Sequence, residues 1–362
     1  MYYASVEAGL QGLFRSYLPL SNSQCERLSR VSIGLMLANS IHMTQVARWM
    51  KGAGQQDSRV QYLRRVLDSE YLSQELVYRP WLRQALGGYQ ARCWHVIMDR
   101  TSIQAHQTDL LSVCLNFRRR ALPLVWQCIP HGGVDSQAQI TLLKAVLGII
   151  PPQQPVIFHG DTEFGSVAMM DFLRHLGWDF IVGQRANKLF RVQGQRDWQA
   201  LATLPVTPQQ AAYVSQVEWT RQHRYSPLNL FAFYEPHQNS PTHRRREVRY
   251  FTTSLPISPS LRVVGHRRWG IEPFHKDYKS AGWQLDLSAL SHPKRLESLL
   301  ILLSVNYLWC VCHGRWLCKT GKRCTIDAKP TRHLSHFRLG IDWLIKQFRD
   351  GQPCPHFLTL YH

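Results

Sequence analysis

Apolar positions recur at helical spacing through the first quarter of the chain: Leu28, Val31, Ile33, Leu35 and Leu37, then Val46, Met50, Val60, Leu63, Val66 and Leu67. Alternation of strand type is almost absent there, so residues 1–90 predict an all-helical N-terminal domain, broken once at Gly52-Ala53-Gly54. Arg30, Arg48, Lys51, Arg59, Arg64 and Arg65 give it a basic face, either simply solvated or available to phosphates.

From Arg92 the pattern changes. WHVIMD (94–99) reads as a buried strand ending in an acid, and LLSVCLNF (110–117) and ALPLVWQCI (121–129) read as two more strands joined through Arg118-Arg119-Arg120. So short a link means an antiparallel hairpin. An amphipathic helix (137–148), a strand PVIFHGD (155–161), a helix (about 166–176) and a strand WDFIVGQ (178–184) follow. Hairpin strands, then helix, strand, helix, strand, is the order of a ribonuclease H-like α/β core with a mixed sheet.

Short alternating segments at 213–219, 229–235 and 247–254 then predict a β-rich insertion, which carries the basic run His243-Arg244-Arg245-Arg246. Helices return around Arg268–Ser280, Pro293–Cys312 and Phe337–Phe348. The expected organisation is a helical DNA-binding domain (1–90), a first part of the core (91–185), the insertion (186–255), a second part of the core (256–317) and a helical tail (318–362).

The charge narrows the partners. Among 362 residues, 43 Lys and Arg stand against 24 Asp and Glu, a formal charge of +19, although only 19% of residues are charged. A shortage of acids makes the whole surface positive, which suits nucleic acid. With 44% hydrophobic residues the chain has ample core material, and global disorder is excluded. The N-terminus lacks a secretory pattern, and the longest apolar stretch, Leu299–Cys312, falls short of the ~20 residues of a membrane span. Nine cysteines, an odd number, fit a reducing compartment, so the expected location is cytoplasmic. Cys310, Cys312, His313, Cys318 and Cys324 lack a CxxC pair, and their leading members lie on an apolar helix, which weighs against zinc.

Acids at the C-terminal ends of strands in an open α/β sheet sit at the rim where ligands bind. Asp99 and Asp161 occupy that position, 161 − 99 = 62 residues apart, on strands that are neighbours in the expected order. Paired carboxylates call for a divalent cation. Glu272, in HRRWGIEPFHKDYKS, is the third acid expected beside them, with Arg268, His275, Lys276 and Lys279 on its helical face. Pro273 places the start of that helix near Glu272. Two metal ions on Asp99, Asp161 and Glu272, magnesium in preference to zinc, would support phosphodiester hydrolysis and transesterification. Glu163, Asp109, Asp135, Asp171 and Asp179 read as structural.

These residues resemble the cut-and-paste DDE transposases of bacterial insertion sequences, of the insertion-sequence-four type. IMDRTS (97–102), FHGDTEFGS (158–166) and RWGIEPFHKDYKS (268–280) carry the resemblance, the last matching the signature Tyr-x2-Arg-x3-Glu-x6-Lys at Arg268, Glu272 and Lys279. The tyrosine position holds Gly265, with His266 and Tyr278 as nearby substitutes. The resemblance implies a Mg2+- or Mn2+-dependent enzyme that binds double-stranded transposon ends and target DNA, works as a homodimer and uses no nucleotide cofactor. It further implies phosphate contacts from Arg268 and Lys279, with Lys276 and His275 beside them, and an aromatic contact to a flipped base, for which Trp219 and Trp198 are the residues in the insertion. A nuclease of the same fold without strand transfer, and a non-enzymatic DNA-binding descendant, are the rival readings.

Overall fold

Helices α1 (Tyr2–Tyr17), α2 (Asn22–Ala38), α3 (Met43–Trp49), α4 (Gln56–Leu67) and α5 (Arg79–Leu86) occupy the N-terminal segment. The computed structural model describes residues 2–50, 54–103, 107–235, 247–280, 282–287, 290, 292–352 and 357–360. Ser21 and Gln24 form a reciprocal capping box at the start of α2, which fixes where that helix begins. These helices do not close a core of their own. Trp81 Nε1 donates to the Val305 carbonyl at 3.1 Å, and Asn306 Nδ2 donates to the Ser32 carbonyl at 3.2 Å, both on the long helix described below. One apolar cluster runs from Leu10 to Leu360, so helical segment and sheet share a core.

The sheet is built from β1 (Trp94–Ile103), β2 (Thr108–Phe117), β3 (Arg120–Pro130), β4 (Val156–Gly160), β5 (Asp179–Gln184), β6 (Leu189–Val192), β7 (Gln199–Ala200), β8 (Ala212–Trp219), β9 (Tyr225–Glu235) and β10 (Glu247–Thr253). Its order is β3-β2-β1-β4-β5-β10-β9-β8-β6-β7. β1 pairs in parallel with β4 and β4 with β5, while β2 and β3 form the antiparallel hairpin edge. The expected order of the first five strands is therefore present. The β-rich segment differs from expectation: β10 pairs antiparallel with β5, so it extends the same sheet. The hairpin turn is also tighter than expected. Phe117 pairs directly with Arg120, leaving Arg118 and Arg119 as a two-residue turn.

Helices α6 (Ser136–Lys144), α7 (Val167–His175), α8 (Ser260–Gly265), α9 (Ile271–Tyr278), α10 (Pro293–Lys319) and α11 (His336–Asp350) complete the chain. α10 runs seven residues past the expected end at Cys312. Its most apolar window has the length and composition of a membrane span, but 94% of that window is buried inside the protein. α11 crosses it so closely that a Cβ built on Gly340 would overlap the Cys310 carbonyl oxygen. Because the obstacle is helix backbone, it cannot rotate away. Gly340→Ala is expected to lower the stability of the chain by about 2–3 kcal/mol, read as a reduced urea midpoint at an unchanged slope.

The rim of β1 and β2 is braced by charge. Arg100 on β1 pairs with Asp109 on β2 and, at 2.9 Å, with Glu163 in the loop after β4. Burial would raise the Asp109 carboxyl, but His131, Ser102, Arg100 and the Gly132 amide bind it and hold it down at about 2. A carboxyl lowered in the folded state stabilises above its unfolded value near 4 and loses that contribution as pH falls through 2. Asp109→Asn is therefore expected to remove on the order of 2 kcal/mol at neutral pH and to flatten the loss of stability between pH 4 and 2. A pH series of urea melts reads both, and parallel curves for the two proteins would refute the brace.

Candidate active site

The β1–β4 ladder pairs Trp94 with Val156 and Ile97 with His159, an offset of 62 residues throughout. Asp99 and Asp161 each lie two residues beyond that last pair, so they stand level at the mouth of the β1–β4 crevice. Asp99 is not the end of its strand, as the sequence had implied. β1 continues to Ile103 along β2, with Asp99 opposite Ser112. What ends before Asp99 is β4, and the chain then turns at Asp161. The Asp161 carboxylate accepts the Glu163 amide at 2.8 Å, and the carbonyl accepts the Phe164 amide at 3.2 Å. Gly165 lets this turn lie on β5, since a Cβ there would stand 2.7 Å from the Gly183 carbonyl oxygen. Glu163 faces Arg100 and serves as a brace, in agreement with its structural reading.

Glu272 is exposed in the first turn of α9, and Pro273 follows it where a missing amide costs nothing. Arg268 is not on that helix. It sits in the preceding 3-10 segment, His266–Gly270. Three contacts pin the unit to the sheet. Asn116 Nδ2 on β2 donates to the Arg267 carbonyl at 2.7 Å, and Arg120 on β3 pairs with buried Asp277. Lys279 Nζ, at the end of α9, donates to the Ser102 carbonyl on β1 at 2.5 Å.

The electrostatics bring the three acids into one field. Burial pushes the Asp99 carboxyl up to about 7; Arg268 opposes this, and the charges of Asp161 and Glu272 add to it. Arg268 is the largest charged influence on Asp99, so it reaches the acids from its turn. Such a set of oxygen donors with uncancelled negative charge suits a hard divalent cation. Among the described residues, no three His, Cys, Asp or Glu side chains stand close enough to hold an ion as they are placed. The carboxylates thus share a field without forming a closed ligand set.

The remaining expected residues divide. His275 Nδ1 lies 3.7 Å from Asp99 Oδ2, its Nε2 is buried without a hydrogen-bond partner, and burial with the Lys279 charge lowers it to about 3. It therefore faces the acids as a neutral ring. Lys276 is exposed in a cleft of about 1310 Å3 that Glu272, Arg267, His266 and Trp269 also line. Lys279 is engaged by Ser102 and, at 3.6 Å, by Asp286. Trp219 is 1% exposed and packs inside the extended sheet, so the aromatic contact expected there is not accessible. Trp198 is half-buried beneath the Arg191 guanidinium.

Tyr278 is buried, with its hydroxyl on Ser304 at 2.8 Å, which removes it as a stand-in for the signature tyrosine. Gly265 packs against Phe231, and exposed His266 lines the cleft. Arg244, Arg245, Arg246 and Lys51 lie outside the described residues. In the N-terminal segment Arg48, Arg64 and Arg65 are exposed, whereas Arg30 pairs with Glu26 and Arg59 donates to the Met50 carbonyl.

Sequence reading missed the layer beneath the acids. His95 Nδ1 and His159 Nε2 are 2.9 Å apart in the β1–β4 interior. Burial and the Arg267 charge lower His95 to about 4, and burial, His95, Arg267 and Arg268 hold His159 well below its ordinary value. The alternation His95, Ile97, Asp99 against Ile157, His159, Asp161 was the available signal, since each set shares one face of its strand.

The family model for the transposase DDE domain matches residues 93–309, which spans all three acids. No curated protein matches the chain. Among solved structures, a piggyBac transposase synaptic complex with hairpin DNA is similar at a TM-score of 0.43 and 9% identity, over 98% of this chain and 80% of that one. The Argonaute of Marinitoga piezophila in complex with a 5′-OH guide RNA gives a TM-score of 0.28 and 7% identity, over 70% of this chain and 41% of that one. Both scores are too low to establish a shared fold, and the assignment stands on the 217 residues of the domain match (309 − 93 + 1): the chain belongs to the family of proteins with a DDE transposase domain.

Proposed function

We propose that the chain is a cut-and-paste transposase with a ribonuclease H-like catalytic core, which binds the terminal inverted repeats of an insertion sequence and acts on their phosphodiester bonds. The observation that carries this reading is the level placement of Asp99 and Asp161 across the β1–β4 crevice with Glu272 in their field. The expected substrates are double-stranded transposon ends and target DNA, met in the bacterial cytoplasm by a homodimer. The helical N-terminal segment, with exposed Arg48, Arg64 and Arg65, is the proposed reader of the repeats.

Asp99, Asp161 and Glu272 would hold Mg2+ or Mn2+. When bound, such ions stabilise charge on the phosphoryl oxygens and activate the attacking water or 3′-hydroxyl. The chain's own residues orient the DNA around them. Arg268 balances the acids and is the proposed phosphate contact, and Lys276 and Arg267 extend the positive lining of the cleft from Glu272. His275, lowered by burial and lying 3.7 Å from Asp99, faces that carboxyl without adding charge. Lys279 is the clamp that ties α9 to β1 and reaches phosphate only by leaving Ser102.

Replacing Asp99, Asp161 or Glu272 by Ala is expected to lower Mg2+-dependent cleavage of transposon-end DNA by about a thousandfold or more while DNA binding persists, because several kcal/mol of charge stabilisation are lost. Cleavage at the wild-type rate by Glu272→Ala would sink the assignment. A labelled 3′-hydroxyl end incubated with target duplex separates the transposase from a nuclease of the same fold, which would give no joined product.

Arg268→Gln is expected to reduce the slope of log binding constant against log salt by about one unit, the effect of one lost phosphate contact. An unchanged slope would restrict Arg268 to balancing Asp99.

A further inference from the structure

At the β2–β3 turn lies a second pocket, of about 520 Å3, whose lining contains five arginines, Arg118, Arg119, Arg315, Arg323 and Arg332, with Cys318 and His336, and no acid. Four separate parts of the chain contribute: the β2–β3 turn, the C-terminal part of α10, the turn that follows it, and the segment that enters α11. Asp327 is the neighbouring carboxylate, and it is already committed. It pairs with Arg323 at 3.2 Å and accepts the amides of His333 and Leu334. Among the described residues, Arg118, Arg119 and Arg332 make no ion pair.

The charges of Arg118 and Arg332 are felt by two basic neighbours. Burial lowers Arg315, and the charges of Arg118 and Arg332 lower it further. Burial pushes His336 down to about 3, with Arg332, Arg315, Arg118 and Arg120 adding to the effect. The turn itself carries a conformational cost. Arg118 and Arg119 have φ of 50° and 67°, the left-handed pair of a tight hairpin that Asn-Gly fills with least strain. Arginine at both positions keeps two guanidinium groups at the pocket in spite of that cost. Planar, permanently charged forks of this kind match the oxygens of phosphate.

We propose that this pocket is a phosphate site for a nucleic-acid strand that has left the cleft holding Glu272. Arg118 and Arg119 line both the pocket and that cleft, so a strand crossing the β2–β3 turn passes from one to the other without leaving positive surface. The inference rests on the proposed DNA-cleaving reading of the cleft, but its test requires no catalysis. The chemistry recognised is a phosphate oxygen. Its source in this proposal is the backbone of a polynucleotide, and a free phosphate or pyrophosphate is the competing source.

The test uses the full chain in EDTA, with a fluorescent duplex of random sequence titrated by anisotropy over a series of salt concentrations. Arg332→Gln, Arg315→Gln and the double variant are compared with wild type. The pocket predicts a salt slope lower by about 0.9 for each lost contact and binding weaker by roughly tenfold for the double variant at fixed salt, with most of it restored by Arg→Lys at both positions. Arg332 is exposed, so its single variant keeps the test valid if the double variant melts early.

Calorimetry with inorganic phosphate and with pyrophosphate forms the second arm. Sub-millimolar pyrophosphate binding that disappears in the variants, with an unchanged DNA slope, would assign the pocket to a free phosphate and overturn the proposal. Unchanged DNA slope and affinity in a folded Arg332→Gln, Arg315→Gln pair would overturn it as well. No DNA binding by wild type would instead remove the reading of the cleft, and this inference with it.

Discussion

The placement of the acids depends on the parallel register between β1 and β4. A strand presents alternate residues to one face, so a slip of one position would turn Asp99 or Asp161 to the opposite side of the sheet. Here the ladder from Trp94–Val156 to Ile97–His159 holds the offset, and a slip of one position would turn His159 away from His95 and repack the buried apolar side chains on both faces. β4 stops at Gly160 while β1 continues along β2, and this unequal ending opens the crevice in which two carboxylates stand together. The third acid is added by a different device. α9 is held against the hairpin by Asn116, Arg120 and Lys279, so the hairpin that flanks β1 also sets where Glu272 can reach.

Charge is then used unevenly. Acids are few, and several of them are spent inside the protein as braces: Asp109 and Glu163 on Arg100, Asp277 on Arg120, Asp327 on Arg323. Each brace neutralises one arginine and fixes one junction. Among the described residues, charge of opposite sign also gathers at two places. At the β1–β4 mouth the charges of Asp161 and Glu272 add to the rise of Asp99, and the arginines around the β2–β3 turn depress their basic neighbours. A net charge of +19 therefore conceals an internal contrast, a negative point beside a positive track, which is the arrangement that a metal-assisted reaction on a polyanion needs.

Much of this was legible in the sequence because strand alternation and acid position are local signals. The first five strands, the helices between them, and Asp99, Asp161 and Glu272 could be picked out by pattern. Features that depend on distant partners could not. β1 runs past Asp99 because β2 pairs with it, and the 186–255 segment joins the core sheet because β10 pairs with β5. Lys279 looked like one of a row of helical cations, but it lies at the helix end, where the carbonyl of Ser102 claims it. Trp219 lay in an alternating segment whose buried face could not be told from its exposed one. The pocket arginines come from positions 118 to 332, and no spacing rule links them.

The His95–His159 pair clarifies why the acid site is built on a polar floor. Two imidazoles sharing one hydrogen bond satisfy part of each other, but a buried pair still costs more than two aliphatic side chains would. Its benefit depends on its charge. With both rings held neutral by burial and by Arg267, no cation lies directly under Asp99 and Asp161 to compete with one arriving from solvent. An apolar floor would also be neutral, but it would raise the cost of ionising Asp99 still further, since that carboxyl is already pushed up mainly by burial. A neutral, polar pair lies between these extremes, adding no positive charge beneath the acids. Arg268 then remains the principal positive group acting on Asp99 from within the chain, and it does so from a 3-10 turn ahead of α9 instead of from the sheet.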